Sequence, residues 1–210
     1  MISFQSLFYY LFSGLGAGVF QVFSQPRGKS YGLFVLHLLF HFLLFFYAKK
    51  HLIVLSGLLL VNYGLLQLMK KRPKHKGLIC GFQVVFILGI LCFFKYSIFN
   101  SPILGLIPFL KGLLKPSVFI GVSFFSFKMI SVAVDQKRGA LKESLNFVDY
   151  VNFVLFFPCF LSGPLDRYDS FVKNFKTKAN EDRPQEIFDG CFRIILGAFK
   201  KGVVSDSLYG

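Results

Sequence analysis

Residues 52–69 read LIVLSGLLLVNYGLLQLM, and a helix with this sequence is apolar on every side. The run has the length of roughly 17 to 25 residues that a helix needs to cross the hydrocarbon core of a bilayer. Surface helices of a soluble bundle carry a polar face, which this run lacks. Four more runs share these properties: Leu7–Phe23, Tyr31–Tyr47, Leu78–Phe94 and Ser117–Val134. The sequence therefore predicts an all-α protein with several transmembrane helices.

The formal net charge of +14 bears on topology and partners. Such a charge could suit nucleic acid, but the Lys and Arg residues gather in short connections between apolar runs, so no nucleic-acid partner is predicted. Loops rich in Lys and Arg stay on the cytoplasmic side of a membrane. The densest, Lys70–Lys76, is predicted to lie inside, which puts the N-terminus outside. Lys49 and Lys50 fit this topology least well, because it places them outside.

Cysteine and histidine spacing predicts no metal site and no cofactor. The four cysteines fall singly in apolar surroundings, without the paired spacing of metal or redox sites. His37 and His41 are four residues apart, which could place two imidazoles on one helix face for a metal. No third ligand follows in pattern, and the alternative is a polar pair that faces another helix.

The chain is predicted to form a single membrane domain over residues 1–210, with a change of character near residue 100. Three prolines break the apolar segment 100–116, so an interfacial or re-entrant piece is expected there. The stretch 144–161 is just long enough to cross and contains polar residues that need protein or water around them, which makes it a natural place for a site. A polar loop is predicted over 162–184, and an amphipathic run ends the chain.

Lys128 lies in the middle of the last apolar run, where an isolated charge costs several kcal/mol. At about 100 degrees per residue it shares one helix stripe with Gly121, Ser131 and Asp135, which forms a polar seam. Lys128 leans toward the N-terminus of its helix, so its partner is expected on another helix rather than at Asp135. The alternative is a lysine that reaches a water interface and does nothing more.

Several segments resemble the membrane-bound O-acyltransferase family, most closely its bacterial branch of alginate O-acetyltransferases and teichoic acid D-alanyl transferases. The resemblance rests first on GVSFFSFKMISVAVDQKRG at 121–139 and LFFPCFLSGPLDRY at 155–168. It extends through LVNYG at 60–64, FFKYSIF at 93–99 and GAFKKGVVSDSL at 197–208. The likeness covers about residues 50–210, which corresponds to roughly the first half of such an enzyme.

The resemblance implies transfer of an acyl group, acetyl or D-alanyl, to a hydroxyl of an envelope polysaccharide or teichoic acid. In the family the base is a histidine on a later membrane helix, and none of His37, His41, His51 and His75 matches its context. No catalytic residue is therefore assigned, and the chain is expected to be partial and inactive alone. The implied partners are the bilayer, an acyl carrier protein or acylated membrane protein as donor, and an envelope polymer as acceptor.

The same resemblance gives a set of candidate residues for a substrate tunnel or a structural motif. In SGPLDR, Gly163 and Pro164 would turn the chain, and Arg167 would offer fixed donors inside the protein to an anion or a helix end. Arg167 could instead pair with a neighbouring carboxylate and only fix the loop. The full set is Lys128, Ser131, Asp135, Ser162, Gly163, Pro164, Asp166 and Arg167. Two other functions remain open: a non-enzymatic membrane scaffold, and a small transporter that uses Lys128.

Overall fold

A computed structural model describes residues 26–44, 49–95, 121–159 and 166–176, with a few further residues near both ends. Every regular element in these ranges is helical, which confirms the predicted all-α class. Two short 3₁₀ turns, Pro73–His75 and Phe157–Cys159, follow α2 and α5. The helices are α1 Pro26–Leu44, α2 Lys49–Lys71, α3 Lys76–Lys95, α4 Val122–Arg138, α5 Phe147–Val154 and α6 Tyr168–Lys176.

Two described helical segments are long and apolar enough to cross a membrane. They are His51–Lys71 and Pro73–Lys95, with mean hydropathies of 2.0 and 2.5. Both coincide with predicted runs. Most of the predicted run Leu7–Phe23 and all of the predicted interfacial segment 100–116 lie outside the described residues.

Helix α1 begins earlier than the apolar pattern indicated. It starts at Pro26, so the basic stretch before Tyr31 is helix and not a connection. Proline is favoured in the first turn of a helix because its missing N–H would have no intrahelical partner there. The consequence is that Ser30 joins the face of α1 that packs on α5.

Helix α4 is bounded by two glycines in the left-handed region, Gly121 with φ 80° and Gly139 with φ 70°. A side chain is strained at such φ values, which explains glycine at both ends. At the C-terminal end the Gly139 N–H donates to the Gln136 carbonyl at 3.1 Å, and the Ala140 N–H donates to the Asp135 carbonyl at 2.9 Å. These bonds end the helix four residues beyond the predicted run.

Helix α5 is too short to be a span. It has 8 residues, which corresponds to a length of about 12 Å against a hydrocarbon core of about 30 Å. The stretch 144–161, expected to be just long enough to cross, therefore contains a short helix and a 3₁₀ turn. All residues from Asp149 to Leu155 are buried, so α5 is surrounded by protein.

The segment 162–184, expected to be a polar loop, contains helix α6. Tyr168, Phe171 and Val172 are buried, and their spacing puts them on one helix face. The rings of Tyr168 and Phe171 pack edge-on against Phe153 of α5, with centroids 5.7 and 5.5 Å apart. The apolar face of α6 therefore packs on a buried aromatic residue of α5.

The chain divides into two compact units, Met1–Lys176 and Thr177–Gly210. All the helices named above belong to the first unit. The described residues of the second unit are helical. Among its described residues, the exposed large apolar ones are Phe188, Phe192, Leu196, Phe199 and Val203.

Candidate functional site

A chain of buried polar side chains joins α1 to α5. The ring Nδ1 of His37 lies 3.0 Å from Oδ1 of Asn152. The amide of Asn152 donates to the backbone carbonyl of Ser30 at 2.8 Å. The hydroxyl of Ser30 donates to Oδ1 of Asp149 at 2.9 Å. These bonds connect residues more than a hundred positions apart and fix the register of α5 against α1.

The network also assigns the protonation of His37. Because the Asn152 amide group donates to Ser30, its oxygen faces the ring, and Nδ1 of His37 must be the donor. In a neutral imidazole Nε2 is then an acceptor. That Nε2 is buried, and it has no hydrogen-bond partner among the described residues. The edges of Phe156 and Phe157 surround the ring, with centroids 5.8 and 5.6 Å away.

His41 is oriented differently from His37. Its Nδ1 lies 2.8 Å from the His37 carbonyl one turn earlier, so this ring bonds its own helix. His37 faces another helix, whereas the interpretation as a polar pair expected both rings to do so. Within the described ranges, no group of three or more potential metal-binding side chains occurs.

Asn146 is the N-cap of α5. Its side-chain oxygen accepts the Asp149 N–H at 2.8 Å, and its amide donates to Oδ2 of Asp149 at 2.6 Å. A carboxylate in the first turn is also favoured by the helix dipole. Both oxygens of Asp149 are therefore hydrogen-bonded, one to α1 and one to the cap.

Lys128 is buried, with 3% of its surface exposed, and its partner does come from another helix. Its ammonium donates to the Phe153 carbonyl at 3.0 Å, in the last turn of α5. The partial negative charge at a helix C-terminus favours a cation there. The ammonium also lies 5.3 Å from the ring centroid of Phe153 and 5.9 Å from that of Phe156. Lys128 thus ties α4 to the end of α5.

The other members of the predicted seam contribute less. The Ser131 hydroxyl donates to the Lys128 carbonyl at 2.8 Å, which is a bond within α4. Asp135 is partly exposed near the end of the helix, and Gly121 precedes its first residue. The seam is therefore a set of local contacts around one interhelical bond.

The motif SGPLDR is described only at its end, since Ser162, Gly163 and Pro164 lie outside the described residues. Asp166 and Arg167 are exposed. The Arg167 side chain was expected inside the protein, and in the structure it lies at the surface. The carboxylate of the nearby Asp169 accepts the backbone N–H groups of Lys142 and Glu143 at 2.9 and 3.1 Å, so both of its oxygens are hydrogen-bonded.

Tyr168 makes a further hydrogen bond between α6 and the loop before α5, beside those of Asp169. Its hydroxyl donates to the Ser144 carbonyl at 3.1 Å. Burial raises the pKa of this hydroxyl above its ordinary value, with the Asp149 carboxylate as a second cause. The neutral hydroxyl is the form that can donate this bond.

A cleft of about 650 Å³ opens where the N-terminal turns of α1 and α5 meet. Ser30, Asn146 and Asp149 line it, and Arg27 and Tyr31 form its rim. Its polar wall is thus the exposed end of the chain of hydrogen bonds that leads inward to His37.

A second buried polar contact, between α2 and α3, was missed by sequence reasoning. The Gln83 side chain donates to Oδ1 of Asn62 at 2.8 Å, and Asn62 donates to the Leu58 carbonyl at 3.0 Å. Both residues are 0% exposed. Each is an isolated amide in an apolar run, and such residues turn toward one another in membrane helices. The two isolated amides in neighbouring apolar runs could therefore have predicted this contact from the sequence.

Comparison with curated proteins shows which known proteins the chain is similar to. It is 29% identical to a probable alginate O-acetylase of Pseudomonas putida over 99% of its own length and 43% of that protein. The chain is a distant homologue of the bacterial membrane-bound O-acyltransferases. A probable alginate O-acetylase of Pseudomonas aeruginosa is 28% identical over 99% of the chain and 40% of its own length. The likeness therefore includes the first 50 residues, which the motifs did not cover.

A second group of membrane-bound O-acyltransferases also matches. The teichoic acid D-alanyltransferase of Bacillus subtilis is 34% identical over 41% of the chain and 22% of its own length. The chain spans about two fifths of the length of the alginate O-acetylases. No protein-family model matches the chain, and no solved structure does. Homology and the apolar helices together make it an all-α membrane protein.

Proposed function

We propose that the chain contributes to a membrane-bound O-acyltransferase that transfers an acetyl or D-alanyl group to hydroxyls of an envelope polysaccharide or teichoic acid. One observation carries this proposal: the 29% identity with an alginate O-acetylase extends over 99% of the chain. The location we propose is the bacterial cytoplasmic membrane, crossed several times with Lys70–Lys76 inside. The donor would be an acyl carrier protein or an acylated membrane protein.

The described side chains support a positioning role for this part of the enzyme. Lys128 and Asn152 are both buried and bonded to neighbouring helices. Arg167 and Asp166 are exposed at the start of α6. We therefore propose that α1, α4 and α5 form a rigid wall of the acyl-transfer path and that the base lies elsewhere. His37 is fully buried, so an acceptor hydroxyl has no access to it in this conformation.

The test is a transfer assay with purified chain, a labelled acetyl thioester or D-alanyl carrier protein as donor, and alginate or teichoic acid as acceptor. We expect no transfer by these 210 residues alone. Label incorporation that is lost on heat denaturation would contradict this expectation.

Reading the coding DNA beyond codon 210 separates the alternatives. An in-frame continuation with more apolar spans and a membrane histidine supports the enzyme.

A membrane scaffold is the second candidate, and the bonded state of Lys128 favours it over a transporter. A transported substrate would need access to the ammonium, which is 3% exposed and donates to a carbonyl. A stop codon after residue 210, together with a stable short protein in membranes, would support the scaffold.

A further inference from the structure

A second cleft lies at the C-terminal end of α2, in the basic region between α2, α3 and α4. It measures about 320 Å³. The ammonium-bearing side chains of Lys70 and Lys76 line it, and Met69, Leu141 and Leu145 give it apolar walls. Glu143 also lines it and offsets part of the positive charge. The cleft thus combines cationic and apolar groups in one small volume.

The cleft is placed at the surface of the bilayer by the two spans that flank it. One candidate span ends at Lys71 and the next begins at Pro73. A residue between two spans lies where hydrocarbon gives way to lipid headgroups. Phosphate groups of the bilayer are at this level.

The surrounding surface adds to the positive charge. Tertiary packing brings the end of α4 beside the start of α3. The proximity is close: a Cβ built at Gly77 would lie 3.9 Å from Cε of Lys137. Two basic clusters that are separate in sequence therefore form one face. Within the described ranges, the side-chain ammonium groups of Lys70 and Lys76 have no hydrogen-bond or ion-pair partner. The exposed cations of the segments around the cleft are Lys70, Lys71, Arg72, Lys74, Lys76, Lys137, Arg138 and Lys142.

We propose that this cleft binds an anionic phospholipid, with the phosphate between Lys70 and Lys76 and the start of an acyl chain against Met69 and Leu145. Basic pockets between membrane helices are suited to such headgroups. A free phosphate would leave the apolar walls unused. The volume of about 320 Å³ is at the lower end of small-molecule sites, so the cleft takes the phosphate and the start of an acyl chain and not the whole lipid. The proposal is independent of acyl transfer.

The experiment uses the purified chain in phosphatidylcholine nanodiscs, with a short-chain phosphatidylglycerol added and its binding measured by native mass spectrometry. The test variant is Lys70→Gln with Lys76→Gln. The control is Lys71→Gln with Lys74→Gln, which makes the same charge change on exposed lysines that do not line the cleft. We expect phosphatidylglycerol affinity to fall roughly tenfold or more in the test variant and far less in the control.

Three results would overturn the proposal. Equal losses in test and control variants would mean diffuse attraction to the basic face. Competition by inorganic phosphate as strong as that of the lipid would mean a simple anion site. Binding of an acidic carrier protein that depends on Lys70 and Lys76, without lipid binding, would mean a protein-docking surface. Lack of any wild-type preference for phosphatidylglycerol over phosphatidylcholine would also contradict the proposal, and this measurement needs no variant.

Discussion

His37 and Asn152 are hydrogen-bonded at 3.0 Å across 115 positions of sequence. The bond fixes the imidazole tautomer and attaches a short buried helix to α1. The amide of Asn152 also holds the Ser30 carbonyl, so one side chain satisfies two groups of α1. A buried helix of this length depends on such contacts, because short helices are marginal by themselves.

Asn152→Ala should lower the free energy of unfolding by about 1 to 3 kcal/mol, because it leaves the His37 N–H without its partner and removes the second hydrogen bond to the Ser30 carbonyl. Thermal unfolding in detergent, followed by circular dichroism, measures the loss. Asn174→Ala is the matched control, since Asn174 is exposed on α6. An equal, small effect of both substitutions would show that the α1–α5 bond is unimportant for stability.

Lys128 should resist amine-reactive reagents in the folded protein, because it is buried and its ammonium donates to the Phe153 carbonyl. Lys137 on the same helix is exposed and serves as the internal control. Peptide mass spectrometry after brief labelling gives the modified fraction at each site. Comparable labelling of the two lysines would place Lys128 in open solvent and contradict the bond to α5.

The Asn62–Gln83 contact should couple the two spans by about 0.5 to 2 kcal/mol in a double-mutant cycle. Asn62→Leu and Gln83→Leu each leave a buried amide without this partner, whereas the double variant removes both. The cycle is measured from the unfolding free energies of the four proteins. Additive effects would mean that the hydrogen bond contributes nothing beyond packing.

Gly139→Ala should destabilise α4 by about 1 kcal/mol, because a Cβ is disfavoured in the left-handed conformation. Gly139 has φ 70°. Gly81→Ala is the contrasting substitution, since Gly81 is helical and a Cβ there meets nothing within 4 Å. It should be neutral or stabilising by up to about 1 kcal/mol. Equal melting temperatures for the two variants would contradict this distinction.

Much of the helical architecture follows from the sequence because bilayer-length apolar runs have few alternatives. The runs Leu52–Met69 and Leu78–Phe94 lie within α2 and α3, and a short basic turn connects the two helices. At 144–161 the apolar content indicated a segment just long enough to cross, whereas the structure has the short helix α5 there. The polar residues of the stretch did indicate that it needs protein or water around it, and residues 149–155 are buried. The length of the helix could not be predicted, because an apolar run buried by protein and one buried by lipid have similar composition.

The candidate site was less predictable. The sequence identified Lys128 as needing a partner on another helix, because an isolated charge in an apolar run is costly. It did not identify that partner, since Phe153 contributes only its backbone carbonyl. Ser30 was also missed, because it lies in a basic stretch that did not resemble helix.

Local patterning alone determined the class of this protein, its two longest apolar helices and the position of its densest basic loop. Those properties depend on length and composition, which a bilayer selects directly. Only tertiary structure decided that Asn152 meets His37, that Gln83 meets Asn62, and that Lys137 joins the basic loop beside Gly77. Each of these contacts depends on how helices distant in sequence are rotated and aligned, and that is fixed by the packing of all of them together.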